Sequence, residues 1–164
     1  MKVGIVMGSD SDFPIMKKAL DVLGEFGVSY EVLLASAHRT PQKIHDFAST
    51  AEKRGLSCII AGAGAAAHLP GVIASFTILP VIGVPINATC LKGMDALLAI
   101  VQMPSGMPVA TMAIDGAKNA ALFAIQMGAV TDEELNRKMR IYRLDMAKAV
   151  EEKNEKLQKT LGGM

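Results

Sequence analysis

The densest chemistry in this sequence lies in Ser36-Ala37-His38-Arg39-Thr40-Pro41, where an imidazole and a fixed cation stand side by side between hydroxyls. An imidazole with an ordinary pKa of about 6.5 can give and take a proton near neutral pH. A guanidinium suits two-pronged binding of phosphate. A lone loop histidine is more often a plain surface residue. Here Arg39 beside His38, at the end of an apolar run, favours acid–base work on an anionic substrate, with the hydroxyls of Ser36 and Thr40 in the same loop.

Two other loops have the same kind of position. Gly8-Ser9-Asp10-Ser11-Asp12 follows an apolar run and precedes a helix pattern, so its exposed N–H groups and the helix dipole favour an anion. Ser9 can donate to a phosphate and Asp12 can accept from ribose hydroxyls. The same four side chains could equally do no more than cap the helix. Neither a Walker loop nor a GxGxxG fingerprint is present. The third loop, Gly62 to Ala67, is nearly bare of side chains, so a planar ligand could reach peptide groups around Gly64, or strand and helix could simply pack closely there. His68 closes that loop, either as a ligand contact or as a helix cap. His45 lies within a helix beside Lys43 and Asp46 and reads as part of a solvated face. No spacing suggests a metal site or a Ser–His–Asp or Cys–His nucleophile, and Cys58 and Cys90 are too isolated for a disulfide framework.

The elements that must carry these loops follow from the apolar pattern. Short runs at Val3–Met7, Tyr30–Leu34, Cys58–Ala61, Pro80–Val84 and Pro108–Ala113 predict five strands. Helix patterns separate them: Pro14 to Gly27, Pro41 to about Arg54 behind an N-cap at Thr40, a short one after Gly71, Gly93–Val101 and Ala117–Met127. Thr131-Asp132-Glu133-Glu134 has capping-box spacing and opens a long charged helix of about 132–161. Alternation of this kind predicts an α/β fold, a three-layer doubly wound parallel sheet of flavodoxin-like form. With strand order 2-1-3-4-5 the three loops would share one crevice at the carboxyl ends of neighbouring strands, where such sheets bind ligands. One domain, residues 1–164, is expected.

Composition narrows the partners. Seventeen basic against sixteen acidic side chains leave a net charge of +1, which gives no footprint for nucleic acid or an anionic membrane. A phosphate would have to be held by a few placed donors. Hydrophobic residues make up 51% and mean hydropathy is +0.32, more apolar surface than a small monomer readily hides. Association with other copies is expected, with the last helix reaching onto a neighbouring subunit. The opening strand leaves no room for a signal peptide and no run is long enough to span a bilayer, so the cytoplasm is the expected location.

Taken together, Gly8 to Asp12, Ser36 to Pro41, Ala61 to Gly64 with His68-Leu69-Pro70-Gly71, and Gln102-Met103-Pro104-Ser105-Gly106-Met107-Pro108-Val109 resemble the N5-carboxyaminoimidazole ribonucleotide mutase family, from Val3 to about Met127. The resemblance implies an enzyme of purine biosynthesis that moves a carboxyl group from the exocyclic nitrogen of the aminoimidazole to C4, with no metal or organic cofactor. It implies His38 as the proton-transfer residue, Ser9, Asp12 and Arg39 for phosphate and ribose, and Ser36 and His68 in the pocket. It also implies a homo-octamer. Two departures stand out: Ala65 replaces a more usual glycine, and the segment 113–119 is shorter than in many relatives. The alternatives are a carboxylase acting on aminoimidazole ribonucleotide with free carbon dioxide, and a flavodoxin-like nucleotide-binding module. A receiver-type module would need an acid where strand 3 ends in Ala61-Gly62. A flavin module would show aromatics in the loops, which have none.

Overall fold

The computed structural model describes residues 1–162. Its chain order is β1 (Lys2–Met7), α1 (Phe13–Phe26), β2 (Ser29–Leu34), α2 (Pro41–Ser49), β3 (Cys58–Gly64), α3 (Leu69–Ala74), β4 (Val81–Ile86), α4 (Met94–Val101), β5 (Ala110–Thr111), α5 (Ala117–Gly128) and α6 (Glu133–Leu161). All strand pairs are parallel, and the sheet runs β2-β1-β3-β4-β5. The topology predicted from the alternation of elements is therefore the one found. Two compact units divide the chain, Met1–Ile125 and the residues from Gln126 onward, with the division inside α5.

The first unit carries the whole sheet. β3 and β4 are its centre, and Val81–Ile86 and Cys58–Ala63 are buried on both faces, as continuous apolar strands in a parallel sheet must be. Side chains alternate along each strand. Val6, Ile59, Ala61 and Ala63 meet Ile44, Ala48, Leu69, Ile73, Ala96 and Ile100 from α2, α3 and α4. Gly62 points the other way, where a Cβ would sit 2.4 Å from Met16 Sδ of α1. Helices thus cover both faces.

Local chemistry shifts several boundaries. β5 pairs only Ala110 and Thr111 with Ile82 and Gly83, shorter than the run 108–113, because Pro108 has no N–H to give and the chain turns away after Met112 bonds Gly83 O. α2 stops at Ser49, and one further 3₁₀ turn, Glu52–Arg54, ends on Gly55 with φ at +77°. Thr40 does precede α2 with Pro41 first in the helix, but its hydroxyl makes no cap bond.

In the second unit Asp132, not Thr131, is the N-cap of α6: its carboxylate accepts from Leu135 N at 3.1 Å. Glu134 pairs with Arg137 instead of closing a capping box. Along one helical face, Leu135 and Met139 are buried. Met146, Val150, Leu157 and Leu161 continue that stripe and are each more than half exposed. Among the described residues no helix is long and apolar enough to cross a membrane.

Candidate active site

β1 ends at Met7, opposite Leu34 of β2 and Gly62 of β3, so three loops leave the sheet side by side. Backbone bonds tie their roots together: Ala35 N donates to Met7 O at 3.0 Å, and Gly8 N to Gly62 O at 3.3 Å. Between them lies a cavity of about 210 Å³, lined from all three loops by residues that include Ser9, Asp12, Ser36, His38, Arg39 and Gly64. The juxtaposition expected from the strand order is present. Ser11 and Leu69 also line it, as does Ala88, which was not singled out beforehand; His68 is not among the lining residues. Ala88 gives no warning in sequence, since a methyl group after β4 has no chemistry of its own.

The first loop caps itself and faces the crevice at once. Ser9 N donates to Asp12 Oδ2 at 3.0 Å, Ser11 N donates to Ser9 Oγ at 3.3 Å, and the Ser11 hydroxyl donates to Ser9 Oγ at 2.8 Å. Asp12 is only 4% exposed. Burial pushes its carboxyl above the usual range, partly offset by the N–H groups of Ser9 and Gly8, while Asp10 adds to the rise. A buried acceptor held by backbone donors in a fixed rotamer is suited to orienting a ligand hydroxyl.

The second loop is locked by its own hydroxyls. Ser36 N donates to Thr40 Oγ1 at 2.9 Å, Thr40 Oγ1 donates back to Ser36 O at 3.2 Å, and Arg39 N donates to Ser36 Oγ at 3.3 Å. This closure explains why the Thr40 hydroxyl is not spent on capping α2. It leaves His38 and Arg39 exposed on a rigid turn.

The third loop serves packing more than its composition suggested. A Cβ on Gly64 would meet Ala88 Cβ at 2.5 Å and Ile86 O at 3.2 Å, so glycine is required by the neighbouring strand, although the residue also lines the cavity. Ala65 sits at φ +53°, a left-handed conformation that costs an alanine and not a glycine. His68 stands before α3 with no side-chain cap bond. Its Nδ1 lies 2.9 Å from His38 Nε2, and the rings meet edge to face at 80°. No spacing could have announced this contact between residues 30 apart. It arises because the loops after β2 and β3 meet across the end of β1.

His45, by contrast, stays on the outer face of α2, 3.1 Å from Asp46 Oδ1 and edge-on to Phe76. Cys58 is buried and its thiol is pushed up to about 12 by that burial, which makes it inert at neutral pH. Two larger grooves, one of about 630 Å³ along Phe76–Pro80 and one of about 600 Å³ beside Arg140 and Arg143, have no imidazole in their linings. Among the described residues no cluster of His, Cys, Asp or Glu could hold a metal ion. The crevice therefore brings together a serine-rich turn before α1, a buried carboxyl, an exposed guanidinium and an exposed imidazole around one small volume.

Comparison with known proteins places these features in a context. Residues 2–149 match the family model described as AIR carboxylase. The N5-carboxyaminoimidazole ribonucleotide mutase of Pyrococcus horikoshii is 59% identical, over 95% of this chain and 88% of that protein. The phosphoribosylaminoimidazole carboxylase of Saccharomyces cerevisiae is 52% identical over 95% of this chain, which spans only 27% of that longer protein. The crystal structure of Treponema denticola PurE superposes with a TM-score of 0.85 at 29% identity, covering 95% of this chain and 98% of that one.

Proposed function

The chain belongs to the AIR carboxylase family, and from that premise we propose that its crevice converts N5-carboxyaminoimidazole ribonucleotide to 4-carboxyaminoimidazole ribonucleotide in purine biosynthesis. The observation that carries this reading is the meeting of His38, Arg39, Ser9 and Asp12 around one cavity at the ends of three adjacent strands.

The chemistry balances without a co-reactant. As the carboxylate leaves the exocyclic nitrogen as carbon dioxide, the N–C electron pair stays on nitrogen and takes up a proton. C4, made electron-rich by the amino group, then attacks carbon dioxide, and the C4 proton departs to restore the aromatic ring. One proton is consumed and one released, so a group that first gives and then takes is sufficient. His38 is that group. Arg39 and Ser9 hold the phosphate, Asp12 accepts from the ribose, and Ser36, Gly64 and His68 line the base end. Positioning supplies much of the rest, because carbon dioxide held beside C4 reacts as if intramolecular.

Such trapping requires cover. His38, Arg39 and His68 are exposed in the single chain, so free gas would escape from it. Assembly into a homo-octamer, with α6 lying on a neighbouring subunit, would supply that cover. It would also bury Tyr30, Val32 and Leu34 on the edge strand and Met94, Leu98 and Val101 on α4, all at least 42% exposed. A soluble assembly of this kind acting on a nucleotide belongs in the cytoplasm.

The test is to incubate the protein separately with N5-carboxyaminoimidazole ribonucleotide and with aminoimidazole ribonucleotide plus carbon dioxide. Fast turnover of the first alone is the expected result. Preference for the second would favour the carboxylase reading, which the relative from yeast named above keeps in play. Binding without turnover of either would leave only a nucleotide-binding module.

A further inference from the structure

The side of the crevice toward β4 is closed by a loop to which none of the polar site residues belongs. Ala88, just after β4, lines the cavity, and its methyl lies where a Cβ on Gly64 would come within 2.5 Å of it. The loop 87–93 is pinned at both ends. Toward α4, Thr89 Oγ1 donates to Asp95 Oδ2 at 2.7 Å, a carboxylate on the first turn of that helix. Toward β4, one residue from the loop after β5 holds the chain. Asp115 N donates to Pro85 O at 2.8 Å, and Asp115 Oδ1 accepts from Asn87 N at 3.0 Å. We infer that Asp115 is a positioning residue that holds Ala88 against Gly64, and that this wall keeps carbon dioxide beside C4 during the transfer. This rests on the function proposed above and deepens it, by naming the part of the confinement that the single chain supplies.

Asp115 adds one rung to the sheet where β5 has already ended. Strand pairing stops at Thr111, and Met112 N makes the last bond to β4, at Gly83 O. In a parallel ladder one residue bonds both neighbours of its partner, through its N–H and its C=O. Asp115 does this for Pro85 and Asn87, the neighbours of Ile86, with its carboxylate in place of the carbonyl. Its φ of +57° departs from the extended form that a strand residue needs. Aspartate tolerates that left-handed region better than most side chains, and its carboxylate still reaches the loop. Gly116 comes next, where a Cβ would lie 2.7 Å from Ala113 O, so only glycine fits the turn. Ile114 packs beneath the far end of the β4 loop, leaving no space for a Cβ on Gly93, which would sit 2.6 Å from Ile114 Cγ2. The short segment 113–119 is thus the brace for that loop. The wall it braces is bare: Ala63, Gly64, Ala66, Leu69 and Ala88 line the cavity with no polar side chain among them. Such a surface confines an apolar gas by shape alone, so its placement decides whether the gas stays.

Retention of the carboxyl carbon reads the wall directly. The enzyme is given N5-carboxyaminoimidazole ribonucleotide in medium containing carbon-13 bicarbonate, and mass spectrometry measures label in the 4-carboxy product at initial rate. Wild type should carry its own carboxyl carbon across and take up little label. Asp115→Gly relieves the left-handed strain but removes the acceptor, whereas Asp115→Asn keeps an acceptor oxygen and tolerates the same φ. Asp115→Gly should melt within about 4 °C of wild type, relief of strain and added chain entropy opposing each other. It should nevertheless take up about tenfold more label and lose kcat by roughly 10- to 100-fold, the scale set by about 1 Å of misplacement. KM should change by less than about threefold, because the phosphate and ribose groups sit on other loops. Asp115→Asn should return labelling and kcat to within about threefold of wild type. Wild-type labelling in a folded Asp115→Gly, or equal labelling in the two variants, would overturn the inference. Should Asp115→Gly not fold, Asp115→Ser, whose hydroxyl falls one atom short of Asn87 N, is read in the same way. Either outcome leaves the reading beneath intact. That reading fails instead if wild type forms no product from the carboxylated nucleotide, or if its product is fully labelled, as a carboxylase using free carbon dioxide would give.

Discussion

Ala65 shows how a single residue links the crevice to stability. It is held at φ +53° on the loop that presents peptide groups to the cavity, and an alanine there bears strain that a glycine would not. Ala65→Gly should therefore stabilise the chain by about 0.5–1 kcal/mol, the relief of strain exceeding the extra chain entropy of glycine. Thermal or urea unfolding would measure it, and a loss of stability would mean the loop depends on the methyl group. Arg39 makes a cleaner functional probe. Its backbone N–H is bound to Ser36 Oγ while the guanidinium is exposed, so truncation leaves the turn intact. Arg39→Ala should raise KM by roughly tenfold or more with a smaller effect on kcat, the signature of lost ground-state binding. An unchanged KM would remove Arg39 from the phosphate site. The meeting of the three loops was legible in the sequence because each follows the end of a strand and the strand order makes those ends neighbours. The His38–His68 contact was not, because only the crossing of two loops over β1 creates it.

At the scale of elements, strands with unbroken apolar character were readable and short or terminal ones were not. Cys58–Gly64 is buried nearly throughout and its character is plain from composition. β5 keeps only two paired residues, since proline at 108 and the turn after Met112 limit the ladder from both ends. The last helix was legible as a helix, with its cap displaced by one residue because the Asp132 carboxylate reaches Leu135 N directly. Its apolar stripe explains its length better than any bond within the chain. Only Leu135 and Met139 of it are buried, and Met146, Val150, Leu157 and Leu161 extend the same face into solvent. Replacing both Val150 and Leu157 by Glu should leave the helical signal in circular dichroism intact while reducing the assembled mass in light scattering. Turnover should fall with it, because an uncovered crevice releases carbon dioxide. Unchanged mass would show that this face is not an interface.

For the whole molecule, the near-zero net charge and high apolar content pointed to association and away from nucleic acid, and the arrangement of exposed residues gives that reading a location. In the first unit β2 and α4, and in the second α6, carry apolar side chains that are 42% exposed or more. Sequence composition could register their excess but could not say where they lie, because exposure depends on which faces the chain's own helices leave open. At this scale the proposed function rests on the crevice in which an imidazole, a guanidinium and a buried carboxyl converge.

The most direct measurement is the turnover of His38→Asn on N5-carboxyaminoimidazole ribonucleotide, made alongside calorimetric binding of the product nucleotide. The account predicts that the variant binds product within about threefold of wild type while kcat drops by roughly 10²–10⁴-fold, the range for loss of a proton-transfer group. Near-normal turnover by a folded His38→Asn enzyme would contradict it.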